Sequence, residues 1–214
     1  MRNGKHAATE IPTAITVDEC WKLVDTSEKT GMHCCIMENV NYMREEMLIL
    51  NMVRKGLFGE LIHAEGAYEH DTRFLKITDF GDGLWLGEHH AKRNGNLYPC
   101  HAIGPIAWYL NINHGDRLDY IVSMSSKTRG MDLSWHGPLR SRAFARGSRK
   151  AEDLRVIQSL RKGVPPDFDV YDAATWSVIS ALSEESVADR SRPVDVPDFT
   201  RGKWKSNAPV EITV

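Results

Sequence analysis

The chain has 214 residues, 42% of them hydrophobic and 26% charged, with a formal net charge of -2. That balance suits one large or two small globular domains and gives no global attraction to nucleic acid or an anionic membrane. No stretch approaches the ~20 apolar residues of a membrane span, and the opening Met-Arg-Asn-Gly-Lys-His carries no apolar signal core. Cys20, Cys34, Cys35 and Cys100 form no C-x-x-C pair, so a reduced environment fits. Cytoplasmic placement is the default, with export left open if a signal lies upstream.

In chain order, Thr16-Val17-Asp18-Glu19 predicts a capping box opening a helix. Its apolar stripe is Val17, Cys20, Trp21 and Val24, and Gly31 is its stop. Cys34 to Met37 reads as a short strand running into Glu38-Asn39. A second helix is expected from about Met43 to Lys55, with Met43, Met47, Leu50 and Val53 inward and Gly56 after it. Glu60 to Asp71 and Leu118 to Ser125 read as strands, the first carrying Tyr68, His70 and Asp71 at its far end.

The run Asn94-Gly95-Asn96-Leu97-Tyr98-Pro99-Cys100-His101-Ala102-Ile103-Gly104-Pro105 carries a phenol and an imidazole among turn residues. Its prolines predict irregular backbone, on which Tyr98 and His101 face a ligand. A structural histidine beside a buried tyrosine is the alternative. Gly130 to Gly147 reads as a loop or junction that holds most of the basic cluster Arg140, Arg142, Arg146, Arg149 and Lys150; that cluster and the acidic stretch Glu184 to Asp198 each read as a solvated face or flexible loop. Two helices are expected after it, about Ala151 to Lys162 and about Ala173 to Ala188. The second starts from an Asp172 cap and buries Trp176, Ile179 and Leu182.

Taken together, Gly4 to Pro12, Met37-Glu38-Asn39-Val40-Asn41-Tyr42, Asn51 to Leu61, Gly66-Ala67-Tyr68-Glu69-His70-Asp71, Lys92 to His101, Asp169 to Trp176 and Pro197 to Trp204 resemble the Gfo/Idh/MocA oxidoreductase superfamily. More closely, they resemble its glycoside hydrolase family 109 branch of NAD-dependent α-N-acetylgalactosaminidases. The resemblance implies an α/β chain: residues 1–40 as the end of a Rossmann-type NAD-binding domain, residues 41–205 as an α+β substrate domain shortened around 130–151, and 206–214 as a tail. Both domains are then incomplete. Members often carry an export signal, and the superfamily's sheet often mediates homo-oligomers.

Three departures from the family pattern stand out. No G-x-G-x-x-G turn supplies a pyrophosphate site; Gly81, Gly83 and Gly87 have the wrong spacing, and Glu88 to Gly95 reads as a surface loop. The family's further sheet and active-site tyrosine are missing between Gly130 and Glu152. Leu86 follows Trp85 where an arginine is expected.

The implied chemistry is oxidation of a sugar hydroxyl at C3 by bound NAD+, elimination of the aglycone, addition of water and return of the hydride. It needs proton-transfer groups rather than the paired carboxylates of ordinary glycosidases. By the match, Glu38, Tyr68, Tyr98 and His101 fall on active-site positions, with His70 two residues from Tyr68 on the same strand face. Tyr68 is assigned the C2 proton, and His101 with Tyr98 the oxidised hydroxyl. Glu10 and Asn39, with Glu38 and Tyr98, are expected near the cofactor. The implied partner is a small carbohydrate or glycoconjugate.

Two alternatives stand beside this reading: a plain NAD(P)-dependent sugar dehydrogenase, and a silent remnant without a complete cofactor site. A metal site from His63, His70, His89, His90, His101 and Cys100 lacks any recognised ligand spacing, so no metal is expected.

Overall fold

Helix α1 (Val17–Thr30) begins as its sequence predicts. The Thr16 hydroxyl accepts the Glu19 amide at 3.2 Å, and Glu19 returns its carboxylate to the Thr16 amide at 3.2 Å. Gly31 ends the helix at φ 64°, a left-handed turn that only glycine enters without strain. The structure, a computed structural model, describes residues 1–70, 72, 83–127 and 149–210.

α1 links two short parallel strands, β1 (Ala7–Thr9) and β2 (Cys34–Ile36), paired Ala7 to Cys34 and Thr9 to Ile36. All three residues of β2 are buried, as expected of a strand covered on both faces. A 3-10 turn (Asn39–Tyr42) follows, then α2 (Arg44–Arg54), with Gly56 at φ 68° just past its end.

Helix α6 (Val170–Ala188) organises the interior with twelve buried residues, six of which join two apolar clusters. Ala173 and Trp176 join Ile36, Tyr42, Leu50, Trp108 and Phe168 in one. Val170, Ala174, Val178 and Leu182 join Cys20, Val24, Cys34 and Phe199 in the other. Such burial contributes about 1.5–3 kcal/mol per large apolar side chain. The helix opens three residues before the expected cap: Asp169 accepts the Tyr171 and Asp172 amides, and Asp172 is the reciprocal member of that capping box. Ile179 is only half-buried, whereas Trp176 and Leu182 are buried as expected.

Other expectations are corrected. Residues 60–70 form no strand; a strand exists only through a partner's ladder, and no described segment pairs with them. The 118–125 strand shrinks to β3 (Tyr120–Ile121), antiparallel to β4 (Val194–Asp195). Residues 83–92, expected as loop, form α3 (Gly83–Lys92), closed by a Glu88–Lys92 pair at 2.5 Å, one turn apart.

The proline-flanked run also contains a helix, α4 (Cys100–Tyr109). Pro99 is its N-cap, where a missing N–H costs nothing, and Pro105 forgoes only the bond to the His101 carbonyl. Burial of Cys100, Gly104, Ala107 and Trp108 outweighs that loss. Helix α5 (Arg149–Lys162) precedes α6, and a 3-10 turn (Lys203–Lys205) follows β4. The Gly130 to Gly147 junction, and the arginines expected there, lie outside the described residues. All four cysteines are free and buried, and no helix among the described residues is long and apolar enough to cross a membrane.

Candidate active site

β1 and β2 run parallel, so their C-terminal ends deliver two carboxylates to one edge: Glu10 after Thr9, and Glu38 after Met37, whose amide bonds the Thr9 carbonyl at 2.8 Å. Ligands of open α/β sheets bind at that edge. Glu10 is exposed and Glu38 fully buried. Glu38 Oε1 accepts the Val40 amide at 2.9 Å, and Glu38 thereby caps the turn that carries Asn39.

Across from it, α4 presents His101 from its first turn. Nδ1 lies 2.6 Å from Glu38 Oε1, and the imidazole side chain is 9% exposed. A carboxylate accepts only, so the bond assigns the proton to Nδ1 and leaves Nε2 as the ring's lone pair. A buried acid that orients a histidine in this way is the working part of a general base. Among the described residues, Glu38 Oε2 and both polar atoms of Asn41 are buried without a hydrogen-bond partner.

Close approach of the turn to α4 depends on Gly104. A Cβ there would stand 2.5 Å from Asn41 Oδ1 and 2.9 Å from Glu38 Cγ. Gly66 plays the same part for the segment that brings Tyr68, since its Cβ would stand 2.9 Å from the Ala102 carbonyl oxygen. Gly95 does so for the loop before Tyr98: a Cβ would stand 2.8 Å from Ser183 Oγ, which accepts the Asn96 amide at 2.8 Å.

The aromatic residues converge on the imidazole. Tyr68 packs edge-on to His101 at 4.3 Å between centroids and to His70 at 4.4 Å; Tyr98 lies 5.1 Å from His101 and 6.3 Å from Tyr68. Tyr68 is 41% exposed, the open side of the cluster. Burial, then the Glu38 charge, raises the Tyr68 phenol above its ordinary value. Tyr98 is pushed up further by burial, then by Glu38, Tyr68 and Glu10. Both phenols are therefore protonated at neutral pH.

The structure thus brings together Glu38, Tyr68, His70, Tyr98 and His101, with Glu10 near enough to act on Tyr98 and Asn39 on the turn that Glu38 caps. Sequence reasoning missed Asn41, Gly66 and Gly104; the second asparagine of Glu38-Asn39-Val40-Asn41-Tyr42 and the glycine one turn after His101 were the available signals. It also missed His114, Asp169 and Asp172, whose ligand-type atoms lie within 4.8 Å of one another. Asp169 and Asp172 cap α6, and His114 Nδ1 holds the Ala208 carbonyl at 2.7 Å. A groove of about 800 Å³ lies elsewhere, beside α1, lined by Arg2, Lys5, Thr13, Lys22 and Trp85 among others. No member of the His101 cluster lines it.

A buried carboxylate–imidazole couple ringed by phenols, at the C-terminal edge of parallel strands, is equipment for moving protons on a bound small molecule. The chain matches the glycosyl hydrolase 109 C-terminal domain over residues 42–137 and 152–206. It is 36% identical to proteins named glycosyl hydrolase family 109 protein from Shewanella pealeana, Shewanella putrefaciens and Shewanella baltica, over 99% of its own length and 68% of theirs. The chain belongs to glycosyl hydrolase family 109, a family of glycosidases. The Shewanella pealeana alignment runs over 310 residues yet takes in only this 214-residue chain, so about 100 of the relative's positions have no counterpart here. The family match is itself interrupted at 138–151.

Proposed function

We propose that this chain's site is that of an NAD-dependent glycosidase acting on α-N-acetylgalactosaminides, with residues 1–40 the remnant of a Rossmann-type domain and 41–205 the substrate domain. The observation that carries the reading is the His101–Glu38 couple at 2.6 Å, facing two phenols. Proton transfer to and from sugar hydroxyl and C–H groups calls for such groups, and paired carboxylates at glycosidase spacing are not needed.

The residues fit one end of the cofactor. A carboxylate (Glu10) and an amide (Asn39) stand at the C-terminal ends of adjacent parallel strands, where a nicotinamide ribose offers hydroxyls to hold. The chain has no glycine-rich turn for the phosphates. When bound, NAD+ supplies the acceptor for the C3 hydride, which acidifies the proton at C2.

The protein's own groups do the rest. His101 Nε2 takes the proton of the 3-hydroxyl, and Glu38 holds the ring and stabilises the imidazolium. Tyr98, protonated, donates a hydrogen bond to the same oxygen. Tyr68 works at C2: its phenol passes its own proton to the bordering His70 imidazole, at 4.4 Å between ring centroids, and then takes the proton from C2.

The test is native mass spectrometry of the full chain with NAD+, followed by aglycone release from a chromogenic α-N-acetylgalactosaminide. One dinucleotide per chain and release abolished in His101→Ala support the reading. Net NADH accumulation with a free sugar would make the protein a dehydrogenase, and a chain that takes up neither cofactor nor sugar would make it a silent remnant.

A further inference from the structure

Helix α5 turns its apolar residues the wrong way for a monomer. Its inner face carries Glu152, which is buried, Val156, which packs on the core, and Arg155, held by Asp167. Its outer face carries Leu154, Ile157 and Leu160 at 55%, 54% and 38% exposure, with Val164 just beyond the helix at 45%. At 3.6 residues per turn Leu154, Ile157 and Leu160 fall on one stripe, and Asp153 and Arg161 lie on the same side. A contiguous exposed apolar stripe marks an interaction surface.

We infer that this stripe is a homodimer interface, in which two copies of α5 pack antiparallel about a two-fold axis through Ile157. The stripe is self-complementary about that residue. Leu154 and Leu160 lie three positions to either side of Ile157, and Asp153 and Arg161 four positions to either side. Antiparallel pairing therefore sets Ile157 on its own mate, Leu154 on Leu160, and Asp153 against Arg161 twice per dimer. This is the isologous arrangement of a two-fold contact. Neither charged residue makes an ion pair within the chain among the described residues, so both are available to the mate.

The interruption of the family match at 138–151 reaches into the first turn of α5. The stripe thus borders the stretch where the family match is interrupted, and a second copy supplies the cover. One helix face per copy is smaller than the about 1,200–2,000 Å² typical of specific interfaces, so a weak, concentration-dependent dimer is expected. The inference is independent of the proposed chemistry.

Sedimentation velocity of the full chain across a dilution series tests it. A monomer–dimer equilibrium is expected. Ile157→Glu, which sets two carboxylates against each other at the axis, abolishes the dimer while far-UV circular dichroism stays that of the parent. Asp153→Arg and Arg161→Asp each weaken dimerisation about tenfold by opposing like charges twice. Mixing these two variants restores it, because each then meets its opposite. A chain that stays monomeric at every concentration, a dimer indifferent to Ile157→Glu, or a mixture no tighter than either variant alone would overturn the inference.

Discussion

Nδ1 of His101 stands 2.6 Å from Oε1 of Glu38, a carboxylate with no solvent exposure that also receives the Val40 amide. The two residues are 63 positions apart, and one bond fixes the imidazole's tautomer, its orientation and the direction of its free nitrogen.

Glu38→Gln tests what that bond does. The amide keeps the size of the side chain and still accepts from Val40, but it no longer stabilises an imidazolium. The turnover rate of the glycosidase reaction is expected to fall by about 10²–10⁴, the usual contribution of a positioned acid–base group. Thermal stability should hold, because the substitution removes a buried charge rather than exposing one. Rate and melting temperature measured on the same sample separate the two effects, and an unchanged rate removes Glu38 from the mechanism.

Gly104 is the steric hinge of the site. Gly104→Ala drives a methyl group to 2.5 Å from Asn41 Oδ1, so the Glu38 turn must move away from α4. Overpacking of this kind costs about 1–3 kcal/mol. Denaturant unfolding gives the cost. Activity should fall with it, since the 2.6 Å bond spans the gap that widens. Wild-type stability in the alanine variant would show that the turn yields freely.

What was legible in the sequence was local. The Thr16–Glu19 box and the Gly31 stop are interactions within one helix turn, and both stand as read. The 60–71 strand was misread because alternation signals an extended chain but not a partner for it. Helix α4 was misread because Pro99 and Pro105 were weighed as breakers, while Trp108 and Cys100, which repay them through burial, lie in the interior with α6. Tyr98 and His101 stood out in their turn-rich run, but Glu38 and Tyr68 came through resemblance, since no spacing rule joins position 38 to position 101. Asp169 was passed over as a cap because Asp172 offered the same side chain three residues later, and both serve one box.

A part-buried acid anchors α5 to the turn that follows β2. Asp167 accepts the Tyr42 hydroxyl at 2.8 Å and two Arg155 nitrogens, one of them at 2.8 Å. Asp167→Ala leaves a half-buried guanidinium and a buried phenol without their acceptor. Losing one partner of such a pair costs about 3–5 kcal/mol when fully buried. Arg155 keeps 29% of its side chain exposed, so a loss nearer 2 kcal/mol is expected by chemical denaturation. Tyr42→Phe, which leaves the Arg155–Asp167 pair intact, should cost about 1 kcal/mol. Equal costs for the two variants would contradict this division.

The start of α6 should loosen as pH rises. Burial, then the neighbouring Asp172 charge, raises the Asp169 carboxyl from 3.8 to about 7. A group raised in the folded state stabilises it fully below the unfolded value, and that contribution is lost as pH climbs through the folded one. For Asp169 the window runs from about 4 to about 7. His114 acts in the same direction: burial opposes its charged form, but the Asp172 carboxylate outweighs burial and raises it above 6.5. Its protonated ring favours the fold at low pH and is lost above its raised value. Unfolding free energies across this range should therefore decline toward the alkaline end in the parent chain. Asp169→Asn keeps a competent helix cap and removes the titrating group, so its curve should be flatter between pH 4 and 7. The slope that remains above that belongs to His114, and His114→Gln in the same background should remove it. Parallel curves for parent and Asp169→Asn would mean that the carboxyl titrates as it does in the unfolded chain, and the buried acid pair at the head of α6 would then hold the helix through its cap bonds alone.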